Sequence, residues 1–126
     1  MSVDQISRTI KNYFAALRAM DQRAWVNTFA EDAVSHDPFG APPTCGHQKL
    51  AEFFQSVTAA FKEVGLKEDA VFIAGNAAAV KWTGSGISQG GNHVHFEGID
   101  VFEVNDAGKI QTLRAYWNPA EMMEQL

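Results

Sequence analysis

The chain is poor in cysteine, in basic residues and in long apolar runs. Cys45 is its one cysteine, so no disulfide can form within it, and an unpaired thiol is typical of a reducing compartment. The first residues lack the basic start and apolar core of a signal peptide, and we expect a cytoplasmic protein. No apolar run approaches the roughly 20 residues that cross a bilayer. The net charge of −5, without a basic cluster, argues against nucleic acid and membrane partners.

The residues that are present fit one domain spanning 1–126, and the first half has helical periodicity. Ser2 and Gln5 resemble a capping box, which predicts a first helix with an apolar stripe. The stripe consists of Ile6, Ile10, Tyr13 and Leu17. Asp21 is expected to cap a second helix that ends near Phe29. A third helix is expected after Gly46, with Gly65 as its C-terminal stop.

The second half has the pattern of strands. Residues 33–36 suggest a brief strand, and segments near 67–74, 78–88, 92–104 and 109–117 suggest longer ones. Turn residues separate the later four segments, and the connections are short, so these strands should be antiparallel neighbours. Helices followed by such a meander predict an α+β fold, with helices packed on one face of a curved sheet.

Asp100 is the one charged residue on an apolar strand face. Side chains alternate along a strand, so the segment 92–104 presents Asp100 on the same face as Phe96 and Phe102. Burial disfavours the charged form of a carboxyl group, so the pKa of Asp100 should be raised. Asp100 could then remain protonated and donate a hydrogen bond. A solvated or ion-paired aspartate is the alternative.

Asp37 begins a stiff loop of sequence Asp-Pro-Phe-Gly-Ala-Pro-Pro. Pro38 restricts the backbone of Asp37 to extended conformations, and such a loop can hold one carboxylate over a substrate. A turn aspartate before proline is the common alternative. Tyr13 interrupts the apolar stripe of the first helix, where a tyrosine is most often a core residue. Together, Asp37, Asp100 and Tyr13 suggest an acid–base site in an apolar pocket.

Two other features of the strand at 92–104 have structural consequences. His93, His95 and Glu97 alternate on its outer face and could bind a metal, but no fourth ligand is evident and we expect no metal site. Ile99 and Val101 continue that face and suggest a surface covered by a second copy, so we expect a homodimer.

Three segments carry a resemblance to a known family. They are the helix segment from Tyr13 to Leu17 followed by Asp21, the segment from Asp37 to Pro43 followed by Gly46, and the pair 99–101 and 108–117. In order and spacing these segments resemble the ketosteroid isomerases, which have the NTF2-like fold, also called SnoaL-like. The resemblance covers nearly the whole chain. It implies a cone-shaped α+β domain that encloses an apolar pocket.

The resemblance also implies chemical roles. In ketosteroid isomerases an aspartate takes a proton next to a ketone, while a tyrosine and a protonated aspartate stabilise the oxyanion. The matching residues are Asp37 as base, with Tyr13 and Asp100 as donors. No metal or organic cofactor is implied, and the expected partner is a small apolar ketone. The expected pocket walls are Trp117, Leu113, Trp82, Phe54 and Leu17.

Some positions depart from the family pattern. Some members have further tyrosines behind the oxyanion tyrosine, and the corresponding residues here are Phe29 and Phe54. His36 precedes the base, where familiar members have an acid. The same fold also hosts polyketide cyclases, epoxide hydrolases and non-catalytic binding proteins. A cyclase that uses Asp37 for aldol chemistry, and a binding module in which Asp37 is only structural, are therefore the alternatives.

Overall fold

The computed structural model describes residues 2–126 as an α+β fold. The helices pack on one curved sheet, which confirms the fold class expected from the sequence. The helices are α1 (Val3–Arg18), α2 (Gln22–Val26), α3 (Gly46–Thr58) and α4 (Pro119–Met123). The strands are β1 (Phe29–His36), β2 (Thr44–Cys45), β3 (Phe61–Ala74), β4 (Ala77–Ser88), β5 (His93–Val104) and β6 (Ile110–Tyr116). Within residues 2–126, no helix is long and apolar enough to span a membrane.

Helix α1 begins as the sequence predicts. The Ser2 hydroxyl accepts a hydrogen bond from the backbone N–H of Gln5 at 3.1 Å and so satisfies one of the free donors of the first turn. The apolar stripe of α1 is buried, and Ile6, Ile10 and Phe14 belong to the main core between helices and sheet. Burial of that stripe fixes which face of α1 meets the sheet, and Tyr13 lies on it.

The expectation that α2 extends to Phe29 is wrong. Helix α2 ends at Val26, and Phe29 is the first residue of β1, paired with Ile110 of β6. The Thr28 hydroxyl donates to the carbonyl of Trp25 at 2.7 Å, which competes with continued helix. The carbonyl of Thr28 accepts from the N–H of Ile110 at 2.9 Å. Pairing with β6 therefore takes over the segment and makes β1 longer than the predicted 33–36.

The sequence also predicted Gly65 as the C-terminal stop of α3, and this prediction is wrong. Helix α3 ends at Thr58, whose hydroxyl donates back to the carbonyl of Phe54 at 2.8 Å, and β3 begins at Phe61. Gly65 lies within β3, where a Cβ atom would come 2.9 Å from Cγ of Arg18. The absence of a side chain thus lets α1 approach the strand. Arg18 in turn donates to the carbonyl of Leu66 at 2.9 Å.

The sheet has the order β2-β1-β6-β5-β4-β3. Strands β3 to β6 form the expected antiparallel meander. Strand β1 instead lies parallel to β6, with His36 opposite Arg114, and the short β2 pairs with its outer edge. Because β1 and β6 are parallel, the chain leaves the sheet at the same end after both strands, directly after His36 and directly after Tyr116.

Candidate active site

Asp37 and Trp117 meet because β1 and β6 run parallel. Each is the first residue beyond its strand, so both lie at the same end of the sheet. The indole N–H of Trp117 donates to Oδ1 of Asp37 at 2.6 Å. The N–H of Phe39 donates to the carbonyl of Ala115 at 2.7 Å, which ties the proline-rich loop to β6. The loop therefore holds Asp37 at a fixed position with one carboxylate oxygen, Oδ2, left without a hydrogen bond from the described residues.

Asp37 is a partly buried carboxyl group. Burial disfavours its charge and raises its pKa to about 6, while the hydrogen bond from Trp117 acts in the opposite direction. At neutral pH Asp37 is thus ionised, yet it is a much stronger base than an exposed aspartate. A base with this pKa suits proton abstraction from carbon.

Asp100 lies at the centre of the sheet, on the face turned toward the helices. It pairs with Val80 of β4 on one side and with Ala115 of β6 on the other. Its side chain is 2% exposed, as the alternation along β5 predicted. Burial raises the pKa of Asp100 well above its ordinary value, and the nearby charge of Asp37 raises it further. The raised pKa favours the neutral carboxylic acid, which can donate its proton in a hydrogen bond.

Tyr13 approaches the same region from α1. Its ring is enclosed by other aromatic rings, with centroid distances of 4.9 Å to Phe102, 5.8 Å to Trp25 and 5.9 Å to Phe29. Burial is the main cause that raises the pKa of its hydroxyl, and the carboxyl groups of Asp100 and Asp37 add to it. The Tyr13 hydroxyl therefore stays protonated and is available as a donor.

The three groups line one apolar pocket. Tyr13, Asp37 and Asp100 all face it, and its other walls are almost entirely aromatic and aliphatic. Four of the five wall residues expected from the sequence also line it: Leu17, Phe54, Trp82 and Trp117. Leu113 is instead completely buried in the core beneath β6, so Trp117, just beyond that strand, provides the wall there. The pocket combines one carboxyl group whose pKa is raised to about 6 with two groups whose neutral forms are favoured, in mostly apolar surroundings.

The family follows from comparison of the sequence with known domains. Residues 10–113 match the model of the SnoaL-like domain, and this range includes Tyr13, Asp37 and Asp100. The chain belongs to the SnoaL-like domain family. This family has the NTF2-like fold, so the resemblance seen in the sequence is confirmed at the level of the family.

Individual relatives of this SnoaL-like chain carry names of enzymes. A steroid Delta-isomerase of Nocardioides simplex is 26% identical over 119 residues, which is 94% of each chain. The epoxide hydrolase/cyclase-like enzyme SalBIII, from pyran ring formation in the polyether salinomycin, superposes with a TM-score of 0.83 at 24% identity and 94% coverage of each chain. An LEH-like epoxide hydrolase of M. tuberculosis gives 0.80 at 22% identity, covering 98% of this chain and 90% of its own. The two structures show a shared fold.

Sequence reasoning did not identify several residues that line this SnoaL-like pocket. Trp25, from the short helix α2, lines the pocket beside Tyr13. Phe96 shares the inner face of β5 with Asp100, so the alternation could have placed it there. Met122 comes from the tail helix α4, whose position could not be read from its own short pattern.

The outer face of β5 is separate from the pocket. His93, His95 and Glu97 are exposed there, and Glu97 lies 3.5 Å from Lys81. Among residues 2–126, no group of three or more His, Cys, Asp or Glu side chains is arranged to hold a metal ion.

Proposed function

We propose that the chain is an isomerase of the ketosteroid type, which moves a C=C bond into conjugation with a ketone. The observation that carries the proposal is one apolar pocket into which an ionised base, Asp37, and two neutral donors, Tyr13 and Asp100, all face. The 26% identity to a steroid Delta-isomerase across the whole domain supports the same reaction. The chemistry proposed uses side chains alone and draws on no cofactor.

The reaction is an internal proton transfer. The carboxylate of Asp37 takes a proton from the carbon between the alkene and the carbonyl. The electron pair of that C–H bond moves through the conjugated system onto the carbonyl oxygen, giving a dienolate. Asp37, now protonated, returns the proton to the far carbon of the former alkene, and the carbonyl re-forms. The substrate gains and loses one proton, so the product is an isomer.

The two donors stabilise the dienolate oxygen. The hydroxyl of Tyr13 and the protonated carboxyl of Asp100 donate to the oxygen as it becomes negative, in a site where few water molecules compete. Removing one donor of this kind lowers kcat roughly 10²- to 10³-fold. The reaction needs Asp37 ionised while Asp100 is neutral. The hydrogen bond from Trp117 opposes the rise in the pKa of Asp37, whereas the charge of Asp37 raises the pKa of Asp100 further.

The apolar walls of the pocket suit a flat, apolar, unsaturated ketone. The pocket has a free volume of about 70 Å³. An engineered cavity of about 150 Å³ accommodates benzene, so this pocket would have to widen to enclose one ring of such a substrate. A steroid remains the first substrate to test.

The test is the conversion of a β,γ-unsaturated ketosteroid to its conjugated isomer, followed by ultraviolet absorbance. We expect turnover by the wild type, a loss of about 10²- to 10⁴-fold in kcat for Asp37→Asn, and a loss of about 10²- to 10³-fold for Tyr13→Phe and for Asp100→Asn. Tyr116→Phe and Glu97→Gln are matched controls, because both residues are exposed on the outer side of the sheet. Absence of turnover, or unchanged turnover in Asp37→Asn, would reject the proposal.

A second candidate is acid–base opening of an epoxide. The same pair supports it, because neutral Asp100 could protonate an epoxide oxygen while Asp37 takes the proton of an attacking hydroxyl group or water. The names of the two structural relatives, a cyclase-like enzyme and an epoxide hydrolase, point in that direction. Turnover of a simple cyclic epoxide with no turnover of the β,γ-unsaturated ketone would favour this candidate.

We also propose that two copies of the chain associate through the outer face of β5 and β6. Ile99 and Tyr116 are cross-strand partners on this face and are 44% and 45% exposed. The ring of Phe39 lies 5.4 Å from that of Tyr116, which extends the apolar patch. A light-scattering mass of twice 13.8 kDa is expected, and Ile99→Lys should reduce it to the monomer mass. A wild-type monomer would contradict this.

A further inference from the structure

The pocket contains four polar groups that lack hydrogen-bond partners within residues 2–126. The indole N–H groups of Trp25 and Trp82 are buried and make no hydrogen bond. No hydrogen bond of the described chain involves the Tyr13 hydroxyl or the Asp100 carboxyl either. A buried polar group without a partner costs roughly 1–3 kcal/mol. Two donors and two acceptors in one pocket would remove that cost if they paired.

Trp25 is the neighbour of Tyr13. Both rings are 2% exposed, and their centroids lie 5.8 Å apart with the planes inclined at 47°. The indole N–H is near enough to the hydroxyl that it lowers the pKa of Tyr13, against the larger effect of burial. The distance and angle nevertheless fall short of a formed hydrogen bond.

Trp82 has the same relation to Asp100. It lies opposite Gly98, two residues from the Val80–Asp100 pair, so Trp82 and Asp100 are diagonal neighbours on one face of the sheet. Gly98 leaves room for the indole, because a Cβ atom there would lie 2.6 Å from Cζ2 of Trp82. Trp82 lowers the pKa of Asp100 as Trp25 lowers that of Tyr13, again without a fully formed hydrogen bond.

We propose that Trp25 and Trp82 are positioning residues of the oxyanion site, with the indole N–H of Trp25 donating to the Tyr13 hydroxyl oxygen and that of Trp82 to one oxygen of protonated Asp100. The proposal rests on the proposed function. An indole N–H is a donor only. An oxygen that accepts from it therefore directs its own proton elsewhere. For Asp100, the oxygen facing Trp82 becomes the acceptor, and the acidic proton sits on the other oxygen.

Both pairs would strengthen as the reaction proceeds. A hydroxyl or carboxyl group that accepts one hydrogen bond is a better donor in the next, because linked hydrogen bonds polarise one another. Hydrogen bonds of an active site are often long in the free enzyme and shorten when the oxyanion is bound. The pairs also give a role to Trp25 behind Tyr13, where Phe29 and Phe54 offer no hydroxyl group.

The test follows the indole N–H signals of the chain by NMR. There are three tryptophans, and the variants Trp25→Phe, Trp82→Phe and Trp117→Phe assign their signals. Tyr13→Phe keeps the ring and should move the Trp25 signal while leaving that of Trp82 in place. Asp100→Leu, which removes the acceptor, should move the Trp82 signal, and Asp100→Asn, which keeps an acceptor oxygen, should move it less. A phenol that mimics the dienolate should shift both signals downfield.

A kinetic measurement provides the second readout. Trp25→Phe and Trp82→Phe should each lower kcat about 3- to 10-fold with little change in KM, the range set by one hydrogen bond. In a Tyr13→Phe background, Trp25→Phe should have no further effect, whereas Trp82→Phe should retain its own. An equal loss for Trp25→Phe in the wild-type and Tyr13→Phe backgrounds would assign Trp25 a packing role only and overturn the proposal.

The two proposals can fail separately. A chain that does not isomerise the β,γ-unsaturated ketone but has both paired NMR responses keeps the pairing and loses the reaction. A chain that isomerises this ketone, while its indole signals do not respond to Tyr13→Phe and Asp100→Leu, loses the pairing alone. If the phenol does not bind, the comparison of the free variants still decides whether the pairs exist.

Discussion

The substitution Asp37→Asn should make the folded chain more stable at neutral pH. The pKa of Asp37 is about 6 in the folded chain against 3.8 in its ordinary state. The difference of about 2.2 units corresponds to about 3 kcal/mol, by which the ionised carboxylate destabilises the folded state. Asparagine is neutral at every pH, has nearly the same shape and keeps an oxygen for the N–H of Trp117. The variant should therefore regain up to about 3 kcal/mol.

The pH dependence gives the sharper form of this prediction. The folded state holds the proton of Asp37 more tightly than the unfolded state. The contribution of Asp37 to the free energy of unfolding of the wild type is therefore fully present below about pH 4, and it is lost as the pH rises through about 6. Urea unfolding at pH 4, 5, 6, 7 and 8 measures this pH dependence. The difference between variant and wild type should be near zero at the lowest pH and reach its maximum above about pH 7.

The substitution Asp69→Asn is a matched control, for which we expect a change in stability of the opposite sign. Asp69 is an exposed aspartate whose pKa is lowered, mainly by a hydrogen bond from the Thr83 hydroxyl and also by Lys81. Asp69→Asn should thus reduce stability above about pH 4. If Asp37→Asn is no more stable than wild type at pH 8, or if its gain does not depend on pH, the pKa of Asp37 is not raised in the folded chain and the reasoning is refuted.

Two further outcomes follow from the same site. The value of kcat/KM should rise with pH through an apparent pKa near 6. Trp117→Phe should move that midpoint upward, because the indole N–H stabilises ionised Asp37. A midpoint unchanged in the variant would contradict the role of this hydrogen bond. In Gly98→Ala the new Cβ would come 2.6 Å from Cζ2 of Trp82, 2.7 Å from Cβ of Trp117 and 2.8 Å from the carbonyl oxygen of Tyr116, and should destabilise the chain by about 1–3 kcal/mol in urea unfolding. Stability equal to wild type would mean that these neighbours have room to move.

The strand faces could be predicted from the sequence, because alternation is a local property. It placed Asp100 on the inner face and Ile99 on the outer face of β5, as observed. The helix stripe of α1 likewise predicted the burial of Tyr13. Strand ends were harder, since they depend on distant partners. Phe29 has no local signal for the parallel pairing with β6 that ends α2 early.

The convergence of the site needed the fold. Asp37 has no intrinsic feature that turns it toward a pocket, and its position follows from the parallel alignment of β1 and β6. The contact between Asp37 and Trp117 joins residues 80 positions apart in the chain, which no periodicity can reveal. Trp25 lines the pocket because of how α2 lies between α1 and α3, which the short sequence pattern of α2 does not predict.

The distribution of tryptophans has a practical consequence. The chain contains three tryptophans, and all of them line the pocket that also holds Tyr13, Asp37 and Asp100. Indole emission is sensitive to the polarity and the charge around the ring. All tryptophan fluorescence of the protein therefore originates at this pocket, with no background from tryptophans elsewhere. Occupancy of the site can be followed on the unmodified chain, without a label and without turnover.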